Sequence, residues 1–348
     1  MATDLVLGDG GIETDLIFHR GQDLPHFAAF VLLDTEEGRE QLRAYYRPYV
    51  QIARDAGARL VLETPTWRAS PDWLALLGRP VTDMARVNRD AVRLLTDVRG
   101  VATGDRGDAG IVVSGCVGPR ADGYDANTAM DEQQAEDYHR PQIEALQAAG
   151  ADRITAITMS YPAEAAGIAS AARVAGIPAV ISFTVETDGL LPDGNSLEDA
   201  VDAVDGVTDG YAAFFMVNCA HPTHIARALG VRIDQAATAT SGPARPAGWT
   251  ARVGGVRANA STRSHAEMDL AADLDEGDPQ SFGAQLAQLH ELLPSLEVLG
   301  GCCGTDDRHI RALARVVGVA DLGEVHLVEQ GHLQRAVISG QRRDRRGA

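Results

Sequence analysis

Residues Arg153–Thr158 (RITAIT), Ala163–Ala175 (AEAAGIASAARVA) and Pro178–Val185 (PAVISFTV) decide the fold. Two short, nearly continuous apolar runs flank an alanine-rich stretch long enough for about four helical turns. An apolar run without polar alternation is buried on both faces, as in a parallel sheet covered by helices. The same unit recurs in both directions along the chain. Strands are expected at Leu5–Gly11, Arg59–Thr64, Ile111–Cys116, Ala212–Cys219, Arg252–Asn259 and Glu297–Cys302 as well. Between and after them, helices are expected at Glu36–Ala56, Asp83–Val98, Asp131–Ala149, Ser196–Asp205, Thr223–Leu229, Pro279–Leu293 and Asp306–Val317. Eight such alternations close a (β/α)8 TIM barrel, an α/β fold built as a single domain. The barrel is expected over 1–320, with 321–348 as a C-terminal extension whose arginine-rich end, Arg342–Ala348, is a solvated tail. Gly100–Gly110 and Asp188–Asn195 read as loops.

Composition narrows the function. A formal charge of −18 argues against a nucleic-acid partner, whose phosphates need a basic surface. All 31 basic residues are arginine, so no lysine Schiff base and no Walker-loop lysine can operate. No apolar run approaches the roughly 18 residues of a membrane span. The start of the chain lacks the basic and apolar regions of a secretory signal, and four cysteines do not make a disulfide framework. A cytoplasmic location with reduced or metal-bound thiols is expected.

The polar residues fall where a barrel enzyme needs them. Asp9, Thr64, Cys116, Thr158, Thr184, Cys219, Asn259 and Cys302 stand at or near the C-terminal ends of expected strands, and that rim builds barrel active sites. Cys302-Cys303 lies in Gly300-Gly301-Cys302-Cys303-Gly304-Thr305, where glycines permit a sharp turn. Alone, the pair reads equally as buried thiols or as a vicinal disulfide. Cys219, two strands away, faces the same mouth. Three thiolates with an open fourth position describe a zinc site accessible to substrate.

Asp9-Gly10-Gly11, Val217-Asn218-Cys219 and Gly300–Thr305, with Glu63–Ser70 and Gly118-Pro119, resemble the homocysteine S-methyltransferase family from about Leu5 to about Val317. The resemblance implies a Zn2+ cofactor on Cys219, Cys302 and Cys303, and methyl transfer to a thiol. It further implies that Asp9, Gly10 and Gly11 hold the amino-acid part of homocysteine. Thr64, Thr66, Asn218 and Asn259 are candidate substrate-binding groups, each alternatively a strand cap or turn residue. The partners implied are a small-molecule thiol and a methyl donor, S-methylmethionine or S-adenosylmethionine. A corrinoid-protein donor, a different thiol acceptor, a zinc hydrolase, a dithiol redox protein and a non-catalytic binding barrel are the alternatives.

Three segments depart from the family pattern. Ile157 stands where the family has a glutamate for the substrate ammonium, so that either another acid, such as Glu13 or Glu186, substitutes or the acceptor lacks the amine. Arg257-Ala258-Asn259-Ala260-Ser261-Thr262 replaces a segment richer in Tyr-Pro-Asn. Arg68 replaces an aromatic residue of the betaine-dependent enzyme, which argues against a quaternary ammonium donor. His221 and His224 form a rival ligand pair, for which helix capping is the simpler role. Cys116 reads as a packed core thiol. Oxidation is expected to join Cys302 to Cys303.

Overall fold

The computed structural model describes residues 5–103, 110–123, 129–233, 248–271 and 273–318. Eight parallel strands close a barrel in sequential order: β1 (Val6–Gly8), β2 (Arg59–Glu63), β3 (Ile111–Val117), β4 (Arg153–Met159), β5 (Ala179–Thr184), β6 (Phe214–Asn218), β7 (Val253–Ala258) and β8 (Val298–Gly301). Closure is made where Val6 pairs with Val298 and Leu7 with Leu299. The main helix after each strand is, in order, α1 (Glu36–Ala56), α2 (Met84–Thr103), α3 (Glu132–Ala148), α4 (Pro162–Ala175), α5 (Leu197–Thr208), α6 (Pro222–Ala228), α7 (Pro279–Leu292) and α8 (Asp307–Val316). The expected (β/α)8 barrel is therefore the observed one. The boundary at 320 and the extension 321–348 lie outside the described residues, as does most of the expected loop Gly100–Gly110, whose first residues continue α2.

Alternation along each strand sorts side chains between two cores. Leu7, Leu60, Leu62, Val113, Phe183, Phe215, Val217, Val256 and Leu299 pack outward against the helices in one large cluster. Val6, Val61, Val180, Met216 and Val298 form a separate buried cluster, the inward layer. Nearer the C-terminal ends, the buried residues of the strands become polar: Glu63, Ser114, Thr155, Ser182, Asn218 and Arg257. That change of chemistry is where the site begins.

α1 anchors the mouth from outside. Thr35 caps it by accepting from the Gly38 amide at 3.0 Å, and Gly57 ends it at φ 64°. Its buried face carries Tyr45, Tyr46 and Tyr49, and the Tyr46 hydroxyl donates to the Glu63 carbonyl at 2.8 Å. This bond holds the end of β2 in place.

Candidate active site

After β8 the chain turns on Cys302–Thr305. The Cys302 carbonyl accepts from the Thr305 amide at 3.1 Å and from its hydroxyl at 2.7 Å. Gly304 sits at φ 76°, the left-handed conformation that the turn demands and glycine adopts without strain. The turn is gripped from β7, with Cys302 N–H donating to the Ala258 carbonyl (2.8 Å) and Ala260 N–H to the Cys303 carbonyl (3.1 Å). From β1's side, a Cβ on Gly11 would lie 2.3 Å from the Cys302 carbonyl oxygen, and one on Gly10 would lie 2.6 Å from the Tyr49 hydroxyl. Gly10-Gly11 is thus the seat on which the cysteine turn rests.

Cys219 follows β6 with φ 57°, a conformation that costs a non-glycine residue on the order of 1–3 kcal/mol. Its amide donates to the Arg257 carbonyl at 3.1 Å, and its carbonyl accepts from His265 Nε2 at 2.5 Å. His265 Nδ1 in turn faces Glu186 Oε1 at 2.9 Å. The bent backbone brings Cys219 Sγ to 3.5 Å from Cys303 Sγ, and the sulfurs of Cys219, Cys302 and Cys303 all lie within 4.8 Å of one another. Tetrahedral zinc with bonds of about 2.3 Å places its sulfurs roughly 3.8 Å apart, so this donor set fits the ion. Hydrogen bonds from Cys219 and Cys303, with the Arg257 charge nearby, favour the thiolate at Cys302 and pull its pKa down. Hydrogen bonding within the same trio holds the Cys303 proton on.

The cysteines form part of the wall of a cavity of about 160 Å³, which also meets Asp9, Gly10, Gly11, Glu13, Glu63, Thr64, Trp67, Arg68, Cys116, Ile157 and Arg257. Asp9 is paired with Arg257 through one oxygen and accepts the Glu63 amide at 3.1 Å on the other. Thr64 reaches the cavity, but its hydroxyl already accepts the Cys116 amide at 2.9 Å and bonds Thr66 at 2.7 Å. The Thr66 hydroxyl donates to the Cys116 carbonyl, away from the wall. Asn218 lies behind the wall, bonding Thr158 N–H, Thr158 Oγ1 and Ser182 Oγ. Asn259 is buried and does not line the cavity. Of the residues expected to bind substrate, Asp9, Gly10, Gly11 and Thr64 are brought together with the three cysteines; Thr66 and Asn218 brace the rim, and Asn259 is buried outside the cavity.

Of the two acids considered for the place of Ile157, Glu186 is engaged with His265, whereas Glu13 stands in the wall. Burial pushes the Glu13 carboxyl up to about 7, with the neighbouring Cys302 and Asp9 charges adding to the rise. Arg68 is 5% exposed, its guanidinium 4.0 Å from the Trp67 ring centroid and 3.6 Å from that of Trp73. His221 caps α6 by accepting the Thr223 amide, and it is not part of the cysteine group. Cys116 is buried, and burial pushes its thiol well up. Sequence reading did not single out Glu63, Arg257 or His265 as site residues. A charged residue inside an otherwise apolar strand, as Arg257 is in Val253–Ala258, was the signal available for one of them.

A closed parallel barrel whose C-terminal mouth converges three thiols over a polar floor defines a class of thiolate-centred barrel enzymes. A family model described as homocysteine S-methyltransferase matches residues 6–317, and the chain belongs to that family of S-methyltransferases. The homocysteine S-methyltransferase of Escherichia coli K12 is 31% identical over 213 residues, spanning 57% of this chain and 64% of that enzyme. Homocysteine S-methyltransferase 4 of Zea mays is 26% identical over 338 residues, or 92% of this chain and 91% of its own length. Among solved structures, the metallated form of the Escherichia coli homocysteine methyltransferase MmuM superposes with a TM-score of 0.68 at 24% identity, covering 90% of this chain and 96% of that one. That superposition concerns the fold.

Proposed function

We propose that this chain is a zinc-dependent S-methyltransferase that moves a methyl group from a small sulfonium donor, S-methylmethionine or S-adenosylmethionine, to homocysteine, giving methionine. The carrying observation is the convergence of the Cys219, Cys302 and Cys303 sulfurs within 4.8 Å on a cavity wall of a family member. These three residues would hold the zinc, which when bound would strip the substrate thiol of its proton while the three thiolates keep its sulfur electron-rich. His265 and the left-handed backbone at Cys219 aim one ligand. The seat at Gly10-Gly11 aims the other two.

The chain's other residues act on the donor. Asp122 on the cavity wall is paired with Arg68, which leaves Asp269 as the carboxyl group there that favours a cationic sulfonium over a neutral donor. The Trp67 and Trp73 rings already receive the Arg68 cation, which weighs against a quaternary ammonium such as betaine. Ile12, Phe27 and Ile157 contribute apolar wall that keeps water from the reacting atoms. Alignment of sulfur, methyl and leaving group within about 3–3.5 Å then supplies most of the acceleration. A thiolate-based site of this kind works in a reducing compartment, the cytoplasm.

The test is product analysis by mass spectrometry. Zinc-loaded, reduced protein is incubated with homocysteine and, separately, with methyl-labelled S-methylmethionine, S-adenosylmethionine or glycine betaine. Labelled methionine from a sulfonium donor is the expected result. No methionine from any donor, with zinc bound, overturns the reading.

A further inference from the structure

The inner end of the cavity carries an acid and a base that do not meet. Glu63 closes β2, Arg257 lies on β7, and both line the cavity while being 6% and 5% exposed. Neither carboxylate oxygen of Glu63 has a hydrogen-bond partner among the described residues. Its ion pair with Arg153 is long, 3.9 Å, beyond hydrogen-bonding reach. Arg257 gives Nη2 to Asp9 and to the Gly10 carbonyl, leaving Nη1 without a partner among the described residues. Glycine at position 8 makes room for that arm, since a Cβ there would stand 3.0 Å from Nη1. Glu63 and Arg257 sense each other's charge, yet no ion pair joins them.

Buried charges with unused hydrogen-bonding capacity cost several kcal/mol unless a ligand completes them. An α-amino acid carries the two complements, an ammonium and a carboxylate, on a single carbon. We propose that Glu63 and Arg257 form the specificity clamp for the thiol acceptor: Glu63 takes its ammonium and Arg257 Nη1 its carboxylate, while its side chain reaches the cysteine cluster. The proposal rests on the reading of this site as a thiol methyltransferase. It assigns to Glu63 the task that Ile157 cannot perform. It also accounts for Asp9, whose two oxygens are both committed within the protein.

The clamp is tested by equilibrium binding of three thiols to the reduced, zinc-loaded protein: homocysteine, 4-mercaptobutanoate (no ammonium) and 3-aminopropane-1-thiol (no carboxylate). Both truncated thiols are expected to bind at least about 30-fold more weakly than homocysteine, because each leaves a buried donor or acceptor of a charged group without a hydrogen bond. Glu63→Gln should weaken homocysteine by about tenfold or more and leave 4-mercaptobutanoate within about twofold. The double variant Asp9→Asn/Arg257→Gln, which removes both charges of one ion pair, should weaken homocysteine and 4-mercaptobutanoate and spare 3-aminopropane-1-thiol. Equal binding of homocysteine and 4-mercaptobutanoate, or a uniform loss for all three thiols in Glu63→Gln, overturns the clamp. L-2-Aminobutanoate has the amino-acid head and no sulfur, so it reads the clamp on metal-free protein. Its binding to wild type and loss in Glu63→Gln uphold the clamp even if no donor yields methionine. Its failure to bind, alongside normal methylation of homocysteine, overturns the clamp and leaves the proposed function standing.

Discussion

Asp9, just past the end of β1, and Arg257, on β7, form an ion pair across the barrel mouth in which both side chains are buried. The pair joins positions 248 residues apart and leaves Asp9 with its second oxygen on the Glu63 amide. Burial works against the guanidinium's charge, but Asp9 and Glu63 outweigh it and hold the group firmly ionised. Arg257→Leu should therefore strand a buried carboxylate and cost about 3–5 kcal/mol in urea unfolding. The double variant Asp9→Asn/Arg257→Gln should cost clearly less than Arg257→Leu. A milder effect for Arg257→Leu alone would mean that water reaches Asp9.

Cys219→Ala, Cys302→Ala and Cys303→Ala should each abolish zinc content and turnover while the far-ultraviolet dichroism of the barrel persists. Cys116→Ala should keep its zinc, because Cys116 is outside the trio. Metal analysis of the four purified variants checks both halves. Full activity in a zinc-free variant would contradict the proposed mechanism.

Mild peroxide without reductant should release zinc and join Cys219 to Cys303, whose sulfurs already stand 3.5 Å apart. The expectation from sequence was a bond between Cys302 and Cys303. Peptide mapping of the oxidised protein distinguishes the two, and zinc content that stays constant would count against either.

Asp306 caps α8 through the Arg308 amide. Burial opposes its ionisation, yet hydrogen bonds from His309 and Arg308 win and hold the carboxyl far below its ordinary value of 3.8. Because the folded-state pKa is depressed, the stabilisation is present above about pH 4 and fades as pH falls below it. Asp306→Ala should cost about 1–2 kcal/mol at neutral pH. The gap in melting temperature between the variant and wild type should narrow between about pH 4 and pH 2. A gap independent of pH would assign the loss to packing.

Much of the barrel was legible because hydrophobic patterning is local. The expected Glu36–Ala56 is α1 to the residue, and Ile111–Cys116 differs from β3 by one position. The errors have physical causes. The expected strand Leu5–Gly11 shrinks to Val6–Gly8 because Asp9–Gly11 leaves the ladder to meet Glu63 and seat the cysteine turn. Cys219 drops out of its strand because it adopts the left-handed conformation. The short helical turns over Ile12–Asp34 carry no periodic run long enough to read.

The sequence by itself determined the eight strand–helix units, the glycine-framed cysteines and the exclusion of lysine chemistry, since each depends on residue type and short-range spacing. Only the tertiary structure decided which polar groups are spoken for. It commits Asp9 to Arg257 and Glu186 to His265, and it leaves the Glu63 carboxylate without a hydrogen-bond partner among the described residues. The reason is topological. β1 meets β8 only when the ring closes, and closure sets which inward side chains from distant strands share one layer.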